Sequence, residues 1–376
     1  MTTATDPTPA PRPGPAAARP RFALVGAGVI GTHHGRVISS LADRVELVAV
    51  ADLDRERAER LVASHGGRAF TSLTDALAAV EVDVVVVCTP TGHHGEVAIE
   101  ALRAGKHVII EKPAEVTVEK TDEIIAAQQA AGTLVTVISQ HRFDHATEVL
   151  VGAIGRGELG RLTSGIGSVD WWRGQSYYDS GDWRGTWELD GGGALMNQGV
   201  HTVDLLVATL GRPVEVFAYA STLAHERIEV EDVAVAVVRF ESGALGVLHA
   251  TTAAYPGLSA RLQVHGDRGS VVVDDDRLTF VHLTPADAQA RETAMGSGSD
   301  EVNQVAAHTT GSTGPGATAG SEPGRLSDAH RSQYENFLAA LAGTEPLRVD
   351  LATNRQAISI ITGAYESART GRPVAL

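Results

Sequence analysis

The sequence holds a single cysteine, Cys88, set in an apolar run, so no intramolecular disulfide can form and the chain reads as a protein of the reducing cytoplasm. It also lacks a basic excess. A formal charge of −15 excludes the clustered Lys and Arg that nucleic acid or an anionic membrane surface demands. No apolar run reaches the ~18 residues of a membrane span. The first twenty residues carry six of the 15 prolines and no apolar stretch fit for a signal peptide, so residues 1–20 are expected to be a disordered leader. Nothing in the residue pattern calls for a metal ion.

What is present is ordinary globular composition, 43% apolar and 20% charged, over 376 residues. That length exceeds what one core usually supports and predicts two domains. Arg21 to Val25 is a compact apolar strand followed at once by Gly26-Ala27-Gly28-Val29-Ile30-Gly31 and a helical run. In that context the first glycine makes a turn, the second admits a pyrophosphate, and the third lets helix and strand pack closely. A second strand ends at Asp52, placed to accept from adenosine ribose hydroxyls and to repel a 2′-phosphate, which favours NAD over NADP. The same carboxylate would also serve as a cap for the helix starting near Asp54. Strands then alternate with helices up to Ile138, the pattern of a doubly wound parallel sheet. Thr89 and Pro90 fall at the ligand edge of that sheet, bordering the nicotinamide side, and His94 either opens a helix or joins the cofactor site.

The stretch from Gly105 to Pro113 is the hinge between the two halves. Val108 to Ile110 is too short and too β-branched for a helix, and Pro113 keeps Lys112 out of the helical region, so the lysine is presented at the carboxyl end of a strand. After Gln140 the pattern changes to successive β-type runs with glycine turns, which predicts a mostly antiparallel sheet in residues 141–376. The fold class is therefore α/β in residues 21–140, then α+β. A Gly/Ser/Thr-rich segment near 296–324 reads as a flexible insertion.

All four tryptophans, Trp171, Trp172, Trp183 and Trp187, lie within seventeen residues beside Arg173, Tyr177, Tyr178 and Arg184. Rings with interleaved guanidinia suit a polyhydroxylated or nucleotide ligand bearing a carboxylate or phosphate; they suit a subunit interface as well. If Leu195 to Leu210 is one helix, Asn197, His201 and Asp204 share a face. His201 then has the pKa range for proton transfer, Asn197 orients sugar or imidazole, Asp204 holds the histidine tautomer, and Lys112 stabilises an alkoxide.

The glycine motif, Cys88-Thr89-Pro90 with His94, Gly105-Lys106-His107 leading into Glu111-Lys112-Pro113, and Gly191 to Asp204 together resemble the Gfo/Idh/MocA oxidoreductases. The runs Tyr177 to Ser180, Trp183 to Trp187 and Ile228 to Asp232 resemble the branch containing UDP-N-acetyl-2-amino-2-deoxyglucuronate 3-dehydrogenases. The resemblance implies hydride transfer between NAD and a secondary hydroxyl of a sugar, such as the 3-position of a UDP-N-acetylglucosaminuronate. A free sugar or an inositol-type cyclitol is the alternative substrate, and an inactive dinucleotide-bound sensor the alternative class. It places Glu111, Lys112 and Gln140 with the cofactor and Arg142, Trp171, Arg173, Tyr178, Trp183, Arg184, Asn197 and His201 with the substrate. It further implies homodimers or homotetramers packed through the sheets. Many relatives carry aspartate where this chain has Asn197.

Overall fold

Four consecutive valines, Val84 to Val87, are 0% exposed, a run that only a strand covered on both faces can bury. In the computed structural model, which describes residues 19–285, 287, 303–309 and 323–376, they form the centre of a six-stranded sheet. Its strands are β1 (Arg21–Val25), β2 (Glu46–Ala51), β3 (Arg68–Phe70), β4 (Val84–Val87), β5 (His107–Ile110) and β6 (Val135–Val137). They run in the order β3-β2-β1-β4-β5-β6, every neighbour parallel. The order reverses between β1 and β4, and a ligand crevice opens outside the carboxyl ends at such a switch point. Helices α1 (Val29–Ser40), α2 (Arg55–His65), α3 (Leu73–Ala79), α4 (His94–Arg103) and α5 (Val118–Ala131) make the crossovers. The two C-terminal helices return to this sheet: Tyr334 and Phe337 join the core beneath α1 and α2, while Leu351 and Ile358 join the core of the opposite face.

The second sheet holds β7 (Leu162–Asp170), β8 (Pro213–Ser221), β9 (Val233–Phe240), β10 (Leu245–Thr251), β11 (Ala260–Gly266), β12 (Ser270–Asp274), β13 (Arg277–His282) and β14 (Val374–Ala375). Their order is β13-β12-β11-β7-β10-β9-β8-β14, antiparallel except for the β7/β10 pair. The α/β then α+β class is thus observed, with β3, β13 and β14 in addition to the strands legible in sequence. Helices Val200–Leu210 and Leu351–Thr370 cover one face. The first of them lies close on β7, where a Cβ at Gly167 would come within 2.7 Å of Thr202.

The single helix expected over 195–210 is two pieces. A wide π-helical turn, Ala194–Gln198, precedes Gly199 and the α-helix Val200–Leu210. The buried Glu231 carboxylate accepts from Gly193 N at 2.9 Å and Leu195 N at 2.7 Å and so pins the start of the turn. The expected leader lies outside the described residues apart from Arg19 and Pro20. Most of the expected insertion does too, although Val305–His308 within it forms a helical turn tied to His145 by the His308 carbonyl. Among the described residues no helix is long and apolar enough to cross a membrane.

Candidate active site

At the switch point the glycines act as their spacing predicts. Gly26 has φ of 98°, and a Cβ on Gly31 would sit 1.9 Å from the Gly26 carbonyl oxygen. A Cβ on Gly28 would meet nothing within 4 Å, and Val29, first residue of α1, is 90% exposed, so open space lies before an uncapped helix amino end. That is the cradle a dinucleotide pyrophosphate requires. Ile30, by contrast, turns toward the core. Asp52 accepts from Ala27 N at 2.7 Å and Asp54 N at 2.8 Å, which ties the glycine turn to the end of β2. The cap of α2 is Asp54, not Asp52. A carboxylate offers about four lone-pair sites, which leaves Asp52 room for ribose hydroxyls. At the adjoining strand ends Thr89 Oγ1 and Gln140 Oε1 are buried without a hydrogen-bond partner among the described residues, unspent groups of the kind a bound nicotinamide would satisfy.

Two expected cofactor residues are engaged by the protein itself. His94, 1% exposed, sits between the carbonyl of Thr89 (2.9 Å from Nε2) and that of Pro113 (2.8 Å from Nδ1), joining two loops of the site from below. Pro90 stands at the turn this brace supports. Glu111 turns into the core, where His34 Nε2 lies 2.7 Å from Oε1 and the Lys112 amide donates to Oε2 at 3.0 Å. Burial raises the Glu111 pKa, but hydrogen bonds from His330 and His34 hold it well below the carboxylate range. Two groups, His34–Glu111–His330 and His141–Asp144–Asp276, bring three ligand-type atoms within 4.8 Å of one another. In each, an imidazole nitrogen already lies at hydrogen-bond distance from a carboxylate oxygen, 2.7 Å and 2.8 Å respectively.

The loop after β5 carries Lys112 across to the π-helical turn, where its Nζ donates to the Asn197 carbonyl at 2.9 Å. Burial lowers the Lys112 pKa; Glu111 and Asp190 oppose the shift, and Arg184 and Arg173 add to it. His201 is pushed well below the usual imidazole pKa, first by burial, then by the positive fields of His141 and Lys112. His141 is the source of the larger field. Its ring centroid lies 4.9 Å from that of His201, and its Nδ1 is 2.8 Å from Asp144 and 3.0 Å from Asp276. Burial works against its charge, yet the two carboxylates prevail and raise its pKa to about 10.

Asp204 does not hold His201. Both its oxygens accept from Arg142, at 2.6 and 2.7 Å, in a nearly buried fork. Breaking a pair of this kind costs about 3–5 kcal/mol, so the Arg142 guanidinium is committed to Asp204 on the helix Val200–Leu210. Tyr178 turns inward: its hydroxyl meets Thr252 Oγ1 at 2.8 Å in the interior. Its neighbour Tyr177 is the ring that faces the guanidinia. The Tyr177 hydroxyl accepts from Arg184 Nη1 at 2.7 Å and Gln198 Nε2 at 3.0 Å, and both guanidinia lie over its ring, Arg184 at 4.3 Å and Arg173 at 5.5 Å from the centroid. Arg184 also covers Trp183 at 4.4 Å and Arg173 covers Trp171 at 5.1 Å. Gln198 links the cluster to Asn197, accepting from Arg173 at 3.0 Å and donating to Asn197 Oδ1 at 3.2 Å. Neither Arg173 nor Arg184 has an ion-pair partner among the described residues.

Residues 20–139 match the family model described as an oxidoreductase family, NAD-binding Rossmann fold, and residues 149–272 match the GFO/IDH/MocA C-terminal domain. Among curated proteins, the myo-inositol 2-dehydrogenase of Thermotoga maritima is 30% identical over 277 residues, 70% of this chain and 78% of its own length. Among solved structures, the WlbA dehydrogenase from Chromobacterium violaceum, in complex with NADH and UDP-GlcNAcA, superposes with a TM-score of 0.81 at 34% identity, over 97% of this chain and 98% of that one. The WlbA dehydrogenase from Bordetella pertussis, with the same two ligands, gives 0.80 and 33% over 96% and 99%.

Proposed function

This chain belongs to the Gfo/Idh/MocA oxidoreductases, NAD-dependent enzymes of sugars and cyclitols, and we propose that its own substrate is an acidic sugar, most simply a UDP-linked N-acetylglucosaminuronate oxidised at its 3-hydroxyl. The observation that carries this reading is the pair of guanidinia, Arg173 and Arg184, stacked on Trp171, Trp183 and Tyr177 and joined in no ion pair among the described residues, with buried Asp190 the one carboxylate that opposes Arg184. With Lys112 they bring three cations to one site, an arrangement that favours an anionic ligand over a neutral inositol. The likeness to the WlbA dehydrogenases supports the same choice. We place the reaction in the cytoplasm, where a lone buried Cys88 stays reduced.

When bound, the nicotinamide exchanges a hydride with the carbinol carbon. The remaining work falls to side chains. His201, kept neutral by burial and by the neighbouring positive charges, accepts the hydroxyl proton. Lys112 directs an ammonium hydrogen at the same oxygen and stabilises the alkoxide as it develops. Asn197 orients the sugar through its amide oxygen. Thr89 and Gln140 hold the nicotinamide end, and Asp52 the adenosine ribose.

The test is turnover and thermal stabilisation with NAD across UDP-N-acetylglucosaminuronate, the corresponding neutral UDP-sugar, free glucuronate and myo-inositol. The acidic nucleotide sugar should give the highest kcat/KM, and Arg184→Ala should raise its KM by about 10-fold or more, the loss of one charge-assisted contact. Preferential turnover of myo-inositol overturns the substrate and leaves the class standing.

A further inference from the structure

Asp190, 2% exposed, lies in the loop before the triple glycine. Its Oδ2 accepts from Gly185 N at 2.9 Å, and its Oδ1 accepts a short hydrogen bond from Asn197 Nδ2. A carboxylate can only accept, so the Asn197 amide is held with nitrogen toward Asp190 and oxygen away from it, toward Gln198. The same Asn197 residue offers its carbonyl to Lys112 Nζ. One buried charge therefore fixes the side chain and, through it, the peptide that receives the lysine.

A structural role alone does not explain the charge. A neutral Asn or Ser would satisfy the Gly185 amide without the desolvation penalty of a buried anion. Burial raises the Asp190 pKa, while the hydrogen bonds from Gly185 and Asn197 and the positive charges of Lys112 and Arg184 support its charged form, with Tyr177 and Tyr365 as further titratable neighbours. Lys112 in turn faces Glu111 and Asp190 against Arg173, Arg184 and His201. Glu111 already shares its charge with His34, which leaves Asp190 as the other carboxylate acting on the lysine.

We propose that Asp190 is a positioning residue of the reaction, which orients Lys112 by way of Asn197 and by its own charge keeps Lys112 an ammonium in the resting site. This rests on the part given to Lys112 above, and the test separates the two. The chain holds three lysines, Lys106, Lys112 and Lys120, so lysine labelled with 13C at Cε reports their ionisation as three signals, with Lys112→Arg assigning the one of interest. In Asp190→Asn the Lys112 midpoint should fall by about 1 pH unit or more, because an opposite charge is lost and two guanidinia remain. With substrate, kcat should drop roughly 10–100-fold while KM stays within about threefold, the range for a misplaced acid–base group. The exchanged variant Asp190→Asn with Asn197→Asp rebuilds the hydrogen bond in reverse and should return the midpoint toward the native value. An unmoved midpoint in Asp190→Asn overturns the proposal. If Asp190→Asn does not fold, the exchanged variant against Asn197→Ala decides: Asn197→Ala retains the carboxylate and should keep the midpoint while losing turnover, and a midpoint lowered as far as the turnover overturns the charge role. The spectra need no substrate, so a wrong sugar leaves this outcome readable.

Discussion

His201 and Lys112 sit in a field made by their charged neighbours. The imidazolium of His141, secured by Asp144 and Asp276, lies against the ring that must remain neutral to take a proton. With His201 as the proposed base, activity should fail on the acid side as His201 protonates. His141→Gln removes a positive neighbour, so the His201 pKa rises and the acid limb of the kcat profile should move to higher pH by about 1 unit; an unmoved limb would mean that His141 only packs. His201→Ala and Lys112→Ala should each lower kcat by ~10²-fold or more while NADH binding, followed by fluorescence, stays near native. Near-native turnover of Lys112→Ala would remove the lysine from the chemistry. Lys112 and His201 were legible from the sequence because a strand-end lysine before proline and a histidine after a glycine turn have local signatures. Asp190 and His141 were not: their significance comes from Asn197 and Asp276, groups met only in three dimensions. The adjacent pair Tyr177 and Tyr178 shows the limit at finest grain, since a four-residue helix turns one ring to the guanidinia and the other to Thr252, and composition does not say which.

At the level of elements, the glycine turn between β1 and α1 separates two roles that the sequence motif merges. Gly31 serves packing, for its Cβ would collide with the Gly26 carbonyl; Gly28 faces open space, where a pyrophosphate would approach. Gly28→Ala should therefore melt within a few degrees of the native protein and bind NADH much more weakly, whereas Gly31→Ala should lose stability outright. Thermal melts and NADH titration of the two variants distinguish these outcomes; tight NADH binding by Gly28→Ala would place the pyrophosphate elsewhere. The parallel sheet was readable because apolar runs, glycine turns and helix periods agree along residues 21–138. The break between Gln198 and Val200 was not, because the turn is set by Glu231 from a distant strand end, and periodicity alone continues the helix through it. Likewise the 3.6-residue spacing put Asp204 on the right helix but named the wrong partner, the guanidinium of Arg142 arriving from 62 residues away.

Among the described residues, helices cover the second sheet on one side only. The helices Val200–Leu210 and Leu351–Thr370 occupy the inner face, and the outer face is not the polar surface that an antiparallel sheet open to water should present. Strand register places Phe217, Val237, Val247 and Ile166 side by side in one row across β8, β9, β10 and β7, with Tyr219 and Val235 paired in the next. Val235, Val237, Val247, Leu245 and Tyr219 are all exposed. Isolated exposed apolar residues are normal, but a contiguous row over four strands marks an interface, and a second copy of the same chain presents the same row in return. We propose a homo-oligomer packed through these faces, at least a dimer, in which two flat apolar rows exclude water from each other. Light scattering on the native chain should then give twice 39.3 kDa or a higher multiple. Val237→Glu with Val247→Glu puts two carboxylates into the row at cross-strand neighbours, a like-charge pair that would have to be buried, and should shift the mass toward a single chain. The active-site groups lie toward the other sheet, so the variant should still bind NADH. A native mass of one chain would leave the exposed row without a partner of its own kind and overturn the oligomer.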